Sequence, residues 1–195
     1  MLGIVLAAAA GVGLFTSIGT SQTSSSAPHA GGPVPTFSAQ NLGPSGGSRV
    51  SVPASAGGAS AGGASGGGAG VAGTPSVLLF FGNWCPSCHQ ELPPLAATVQ
   101  HQVATRSPLA RIRVIGVDSE DSTSSAKSFI QGSGVTFPVA YDPDVAITSG
   151  LFYFDGDPYA VFVRGDGTID RIVRGAVLTP ASFTADERAL IPSGR

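Results

Sequence analysis

The chain has 195 residues, of which 42% are hydrophobic and 11% charged, and its formal net charge is −2. That length fits one domain of ordinary size with additional segments, and the apolar fraction is enough for a core. Scarce charge and the lack of any basic cluster exclude a polyanion-binding surface, so nucleic acid is not an expected partner.

The first charged residue is Arg49. Leu2 to Ile18 is an almost unbroken apolar run. As a helix it would reach roughly 25 Å at about 1.5 Å per residue, close to the ~30 Å hydrocarbon core of a bilayer. A secretory apolar region is usually shorter, about 7 to 15 residues. Pro28 also follows the nearest small-x-small site, Ser25 to Ala27. Residues 1–20 are therefore expected to be an uncleaved membrane anchor, with residues 2–18 in the bilayer, or a signal segment if cleaved. Residues 21–32, rich in Ser, Thr and Gly, form a flexible tether. A single domain is expected over 33–195, interrupted at 54–73 by a tract of almost pure Gly, Ala and Ser. Such a tract cannot bury enough apolar surface to offset its ordering entropy.

"PVPTFSAQNLG" and "SRVSVP" suggest two short extended segments. "SVLLFF", from Ser76, is a wholly apolar run suited to a strand buried on both faces. After Cys85, Leu92, Leu95, Ala96 and Val99 recur at helical spacing to about Gln102, and Pro93 and Pro94 should kink that helix. "RIRVIGVD", Arg111 to Asp118, predicts a second strand. A weaker helix follows over Ser122 to Gln131, with Gly132 just past its end. "TFPVAYD" is a short extended piece. "YAVFV" and "TIDRIV" flank Arg164-Gly165-Asp166-Gly167 and predict a hairpin. The last helix opens with Thr179 as N-cap, Pro180 at its first position, and Leu178 placed to pack on Phe183. The order strand, helix, strand, helix, hairpin, helix gives an α/β fold: a mixed sheet with helices on both faces.

The chain's two cysteines, Cys85 and Cys88, sit three residues apart just after the buried strand. Residues at i and i+3 share a helix face, so the sulfurs can meet. A cysteine at a helix N-terminus meets unpaired amides and the positive end of the macrodipole, which stabilise its thiolate. Pro86 fits the first helical turn without losing a hydrogen bond. Cys85 is the expected nucleophile toward a foreign disulfide. Cys88, a turn deeper and less exposed, is expected to resolve the mixed disulfide. Three other readings compete, among them two inert buried thiols, against which the adjacent Trp84 and the strand end argue. A purely structural bridge would close a loop too small to restrict the unfolded chain much. A zinc half-site would need two more ligands, and only His29, His89 and His101 remain.

"FFGNWCPSCHQELPPL" resembles the active-site segment of thioredoxin-superfamily proteins, and more closely that of TlpA- and ResA-like membrane-tethered thiol-disulfide oxidoreductases. Their pattern of apolar strand, Trp-Cys-x-x-Cys and then Glu-x-Pro falls here on Trp84, Cys85, Cys88, Glu91 and Pro93. The likeness continues at "GVTFPVAYDPD" and "GDPYAVFVRGDGTIDRIVRG". The resemblance implies a thioredoxin-like domain over 33–195 and a cis Asp157–Pro158 bond facing the cysteines. It also implies that backbone beside Pro158 pairs with an extended substrate, that Trp84 covers the disulfide, and that Pro86 lies in the substrate surface. Glu91, one turn beyond Cys88, is implied as a carboxylate that tunes a thiol or carries a proton from Cys88. Tyr159 stands where the family often has Thr, and Leu79 where cytoplasmic thioredoxins carry a buried Asp.

The implied function is extracytoplasmic disulfide exchange with protein thiols and disulfides, needing no metal or organic cofactor. The implied partners are cytochrome c maturation substrates or other secreted proteins, together with an upstream membrane redox protein. The implied location is the cell membrane, by one N-terminal anchor, or the exterior if the anchor is removed. A redoxin-type thiol peroxidase would share the fold, but those sites usually carry Thr three residues before the attacking cysteine, where Gly82 stands. A non-catalytic binding module on the same fold is the remaining alternative.

Overall fold

The computed structural model describes residues 27–44, 48–52 and 73–191. The apolar run Leu2–Ile18 and nearly all of the Gly/Ala/Ser tract lie outside them. Among the described residues no helix is long and apolar enough to cross a membrane.

The described residues form seven strands and three α-helices. Strands β1 (Phe37–Gln40) and β2 (Arg49–Val52) pair antiparallel as a separate ribbon. The main sheet holds β3 (Ser76–Phe81), β4 (Arg113–Ser119), β5 (Val139–Asp142), β6 (Tyr159–Val163) and β7 (Ile169–Arg174) in the order β5-β4-β3-β6-β7. The β3–β4 and β4–β5 pairs are parallel, whereas β3–β6 and β6–β7 are antiparallel. Helices α1 (Pro86–Ala104), α2 (Thr123–Gly132) and α3 (Pro180–Leu190) connect or close the sheet, and a 3-10 turn, Pro108–Arg111, precedes β4.

Every residue of β3 is buried, as its unbroken apolar run requires for a central strand. Alternate side chains feed two cores. Val77, Leu79 and Phe81 point into one with Leu92, Leu95 and Ala96 of α1, Phe129 and Ile130 of α2, and Phe183 and Leu190 of α3. Leu78 and Phe80 point into the other with Val50, Val52, Ile115, Phe152 and Phe154.

The mixed sheet is as expected, but its two faces are dressed differently from the expectation of helices on both. All three α-helices feed the same core, and the opposite face is covered by the β1–β2 ribbon and by turns at 145–154. Chain handedness accounts for this. The steps β3→β4 and β4→β5 run in one direction across the sheet. Two right-handed crossovers in one direction put α1 and α2 on the same side.

Helix α1 continues unbroken through Pro93 and Pro94. The two prolines leave the carbonyls of His89 and Gln90 without in-helix donors but do not end the element. Helix α2 includes Gly132 and ends at Ser133, and the left-handed residue beyond it is Gly134 (φ 69°). The hairpin turns at Gly167 (φ 84°), a conformation that an L side chain resists. Helix α3 starts as the sequence indicates. Thr179 and Ser182 form a reciprocal capping box, and Leu178 and Phe183 are both buried in the same core.

One buried acid tunes the packing of α3 on α1. Glu187 is 0% exposed and accepts a 2.6 Å hydrogen bond from Gln102, and its other oxygen has no partner. Burial pushes its pKa from the usual 4.5 to about 7, opposed in part by Gln102. The folded chain therefore keeps a proton that the unfolded chain releases above pH ~4.5. That stability is fully present below about pH 4.5 and is lost as pH rises through 7. Glu187→Gln is expected to be more stable than the wild type at pH 8 by about 2 to 3 kcal/mol, with the advantage shrinking toward pH 4.5. Urea unfolding at both values checks this, and equal stability at pH 8 contradicts it.

Candidate active site

Strand β3 ends at Phe81 and the chain turns through Gly82, Asn83 and Trp84 into α1. Cys85 is the N-cap of that helix, and its sulfur accepts the backbone N–H of Cys88 at 3.1 Å. A sulfur thus fills a capping role that usually falls to a side-chain oxygen. Pro86 occupies the first turn and is exposed. Cys85 and Cys88 are joined as a disulfide, with Cα atoms 5.3 Å apart. Their expected difference in exposure is absent: Cys85 is 2% exposed and Cys88 1%. A capping sulfur faces inward toward the first turn, so both atoms sit in the same packed layer.

Trp84 is 44% exposed, and its indole Nε1 donates to the Ser119 carbonyl at 3.0 Å. The ring lies over Gly82, where an added Cβ would overlap the indole and fall 2.9 Å from the Ser119 oxygen. Only glycine fits that position. The Asn83 backbone N–H donates to Asp121 at 2.6 Å, and its carbonyl meets the His89 ring at 2.7 Å. His89 is exposed, as its position beside Cys88 on the helix implies, and its ring packs against Phe129 at 4.5 Å.

The Asp157–Pro158 bond is cis, as the resemblance implies. Pro158 is buried and lines a small cavity with Cys88, Glu91, Leu79, Phe81, Leu92 and Leu95. Glu91, Cys88 and Pro158 are thus neighbours around one void. Glu91 is 5% exposed, and one of its carboxylate oxygens has no partner. Burial pushes its pKa to about 7, against the lowering effect of a backbone hydrogen bond from Leu178. It is poised to exchange a proton near neutrality. Tyr159, next along, stacks on Phe154 at 3.9 Å, hydrogen-bonds Asp155, and lies with Phe154 beneath the Arg174 guanidinium.

A second set of polar residues lies at the end of β4 and just beyond it, and of its members only Asp157 was singled out from the sequence. Asp118 is 0% exposed and neither of its oxygens has a donor. Burial and the Asp121 and Asp157 carboxylates push its pKa to about 8. The Asp121 carboxylate can become its partner only once a proton sits between them. Asp121 also accepts from Ser125 at 3.0 Å, and Ser119 Oγ donates to Asp157 at 2.7 Å. Asp157 is held at a pKa of about 6 by burial, which Ser119 opposes. The signal that could have found this set is "VDSED" at the carboxyl end of a parallel strand, where open α/β sheets place their sites.

A model of the AhpC/TSA family matches residues 68–172, more than half of the chain. The chain belongs to the AhpC/TSA family. Its sequence is also similar to ResA-type thiol-disulfide oxidoreductases. It is 32% identical over 96 residues to the soluble secreted antigen MPT53 of Mycobacterium tuberculosis, covering 49% of this chain and 51% of that protein. It is 26% identical over 102 residues to the thiol-disulfide oxidoreductase ResA of Bacillus subtilis, covering 51% and 52%. The chain thus spans about half the length of these curated relatives. Its fold matches a thiol:disulfide interchange protein of the thioredoxin family from Chlorobium tepidum, with a TM-score of 0.58 over 84% of this chain and 99% of that one, at 20% identity.

The Glu91 geometry gives a pH signature. Release of substrate from a mixed disulfide on Cys85 is expected to speed up as pH rises through about 7, where Glu91 loses its proton and can accept that of Cys88. Glu91→Gln is expected to slow this step roughly 10- to 100-fold at pH 8 and to remove the inflection near pH 7. Quenched-flow alkylation across pH reads the step, and an unchanged profile contradicts the role.

Proposed function

We propose that the domain is an extracytoplasmic thiol-disulfide oxidoreductase that exchanges disulfides with protein substrates. The observation that carries this reading is the Cys85–Cys88 disulfide at the start of α1, with Cys88 lining a small cavity beside the buried Glu91 carboxyl and Pro158. In the reduced state the Cys85 thiolate is stabilised by the Cys88 amide and the helix N-terminus. It attacks one sulfur of a substrate disulfide, and the other substrate sulfur leaves as a thiolate. Cys88 passes its proton to Glu91 and attacks Cys85 Sγ. The substrate departs with two thiols, and the domain keeps the disulfide, having lost the two electrons the substrate gained.

The similarity to the thiol-disulfide oxidoreductase ResA supports this chemistry, and the similarity to the secreted antigen MPT53 supports a location outside the cytoplasm. We place residues 2–18 in the membrane as a tether because of their length and apolarity. We assign the reducing direction, as in cytochrome c maturation, on the likeness to the ResA-like group and on Glu91. Protein thiols and a membrane-bound electron donor are then the partners. The thiol peroxidase alternative is disfavoured by Gly82: the indole of Trp84 leaves no space there for the Thr side chain those sites use.

Substrate trapping tests the reading. The full chain with Cys88→Ser is expected to accumulate mixed disulfides with exported proteins through Cys85, whereas Cys85→Ser accumulates few. Equal and negligible trapping by both variants contradicts the reading and favours a non-catalytic binding module.

A further inference from the structure

Two loops border the disulfide: the Asn83–Trp84 turn before Cys85, and the Asp157–Pro158 segment before β6. They lie far apart in sequence and make their polar attachments to one short turn at the end of β4. Ser119 holds both. Its carbonyl accepts the Trp84 indole N–H at 3.0 Å, and its hydroxyl donates to Asp157 Oδ2 at 2.7 Å. Two residues on, Asp121 accepts the Asn83 backbone N–H at 2.6 Å. Ser119 is itself 1% exposed, and Glu120 beside it has φ 59°, so the turn is tightly packed and narrowly defined.

We propose that Ser119 is a positioning residue for disulfide exchange, fixing the Asp157–Pro158 segment against the cysteine pair through its hydroxyl. This rests on the exchange reading above. The Asp157 carboxylate depends on that hydroxyl: its other oxygen is buried without a donor, and the carboxylates of Glu120, Asp121 and Asp142 all repel its charge. Without the hydroxyl, a carboxylate among like charges gains more by turning to water than by staying. Its backbone then moves with it, and Pro158, the next residue, forms a wall of the cavity beside Cys88 and Glu91. A large substrate that must lie along this segment is affected. A small disulfide that needs only the sulfur is affected less. The Trp84 attachment is to the Ser119 backbone and survives removal of the side chain.

The test compares two disulfides in single-turnover reactions of the reduced full chain: insulin as a protein disulfide, and 5,5′-dithiobis(2-nitrobenzoate) as a small one. For Ser119→Ala the efficiency toward insulin is expected to fall about tenfold relative to that toward the small disulfide, the scale of one charge-assisted hydrogen bond. The loss is expected in apparent affinity rather than in the maximal rate. Trp84 emission is expected to keep its wild-type position, and Ser119→Thr to restore most of the loss. Asp157→Ala is expected to give the same selective loss, and the double variant no more than either single, because both remove one interaction. If Ser119→Ala does not fold, the Asp157→Ala ratio and Ser119→Thr decide. Parallel losses on both disulfides, multiplicative effects in the double variant, or wild-type ratios in folded Ser119→Ala and Asp157→Ala overturn the inference. A wild-type chain that reacts with neither disulfide overturns the exchange reading itself.

Discussion

A sulfur atom serving as a helix cap governs the rest of the site. Cys85 follows β3 at the central position of the sheet and takes up the amide of Cys88, so that the proposed nucleophile, the helix dipole and the proposed resolving cysteine are one local unit. An oxygen in that role would satisfy the helix equally well but could not exchange electrons. The central strand makes this arrangement rigid. It is paired on both edges by β4 and β6, so the turn that follows it starts from a fixed point. The same pairing brings the far end of β4 and the start of β6 to either side of the cysteines. Residues separated by more than thirty positions in the chain thereby become neighbours.

Around that unit the protein uses few charges but buries several of them. Glu91, Asp118, Asp157 and Glu187 all carry carboxyls whose pKa burial has raised. In each case an oxygen is left without a donor. Such groups cost stability when ionised, and a chain with only 11% charged residues has little reason to bury them for solubility. Their placement separates two uses. Glu187 lies between α1 and α3, far along the helix from the disulfide, and links packing to pH. Glu91 shares a void with Cys88, where a proton must move whenever the disulfide opens or closes. On the other side Asp121 holds the Asn83 backbone N–H and Asp157 takes the Ser119 hydroxyl, while neither oxygen of Asp118 has a donor.

Much of this was legible in the sequence because its signals are local. The apolar run of β3, the helical spacing after Cys85, the Gly167 hairpin and the Thr179–Pro180 start of α3 each lie within a few residues. That Cys88, Glu91 and Pro158, which line one cavity, belong to the site with Cys85 followed from a family pattern. What stayed hidden depends on distance. Ser119 and Asp157 are 38 positions apart, and Gln102 and Glu187 are 85 apart. An acid in an amphipathic helix reads as a surface residue until a partner helix is seen to cover it. Both cysteines being buried was also unforeseen, since spacing tells which side chains meet but not what lies over them. The uniform dressing of one sheet face by helices was available in principle from crossover handedness, once β5 was known to lie outside β4.

On the proposed function, Cys85 and Cys88 form a reversible two-electron couple. Equilibrating the full chain with glutathione buffers of graded poise, then trapping free thiols with a mass-tagged alkylator, tests it most directly. A single two-electron transition is expected, both thiols appearing together, at a potential between about −120 and −300 mV. Thiols that stay bridged, or stay free, at every poise across that range contradict it.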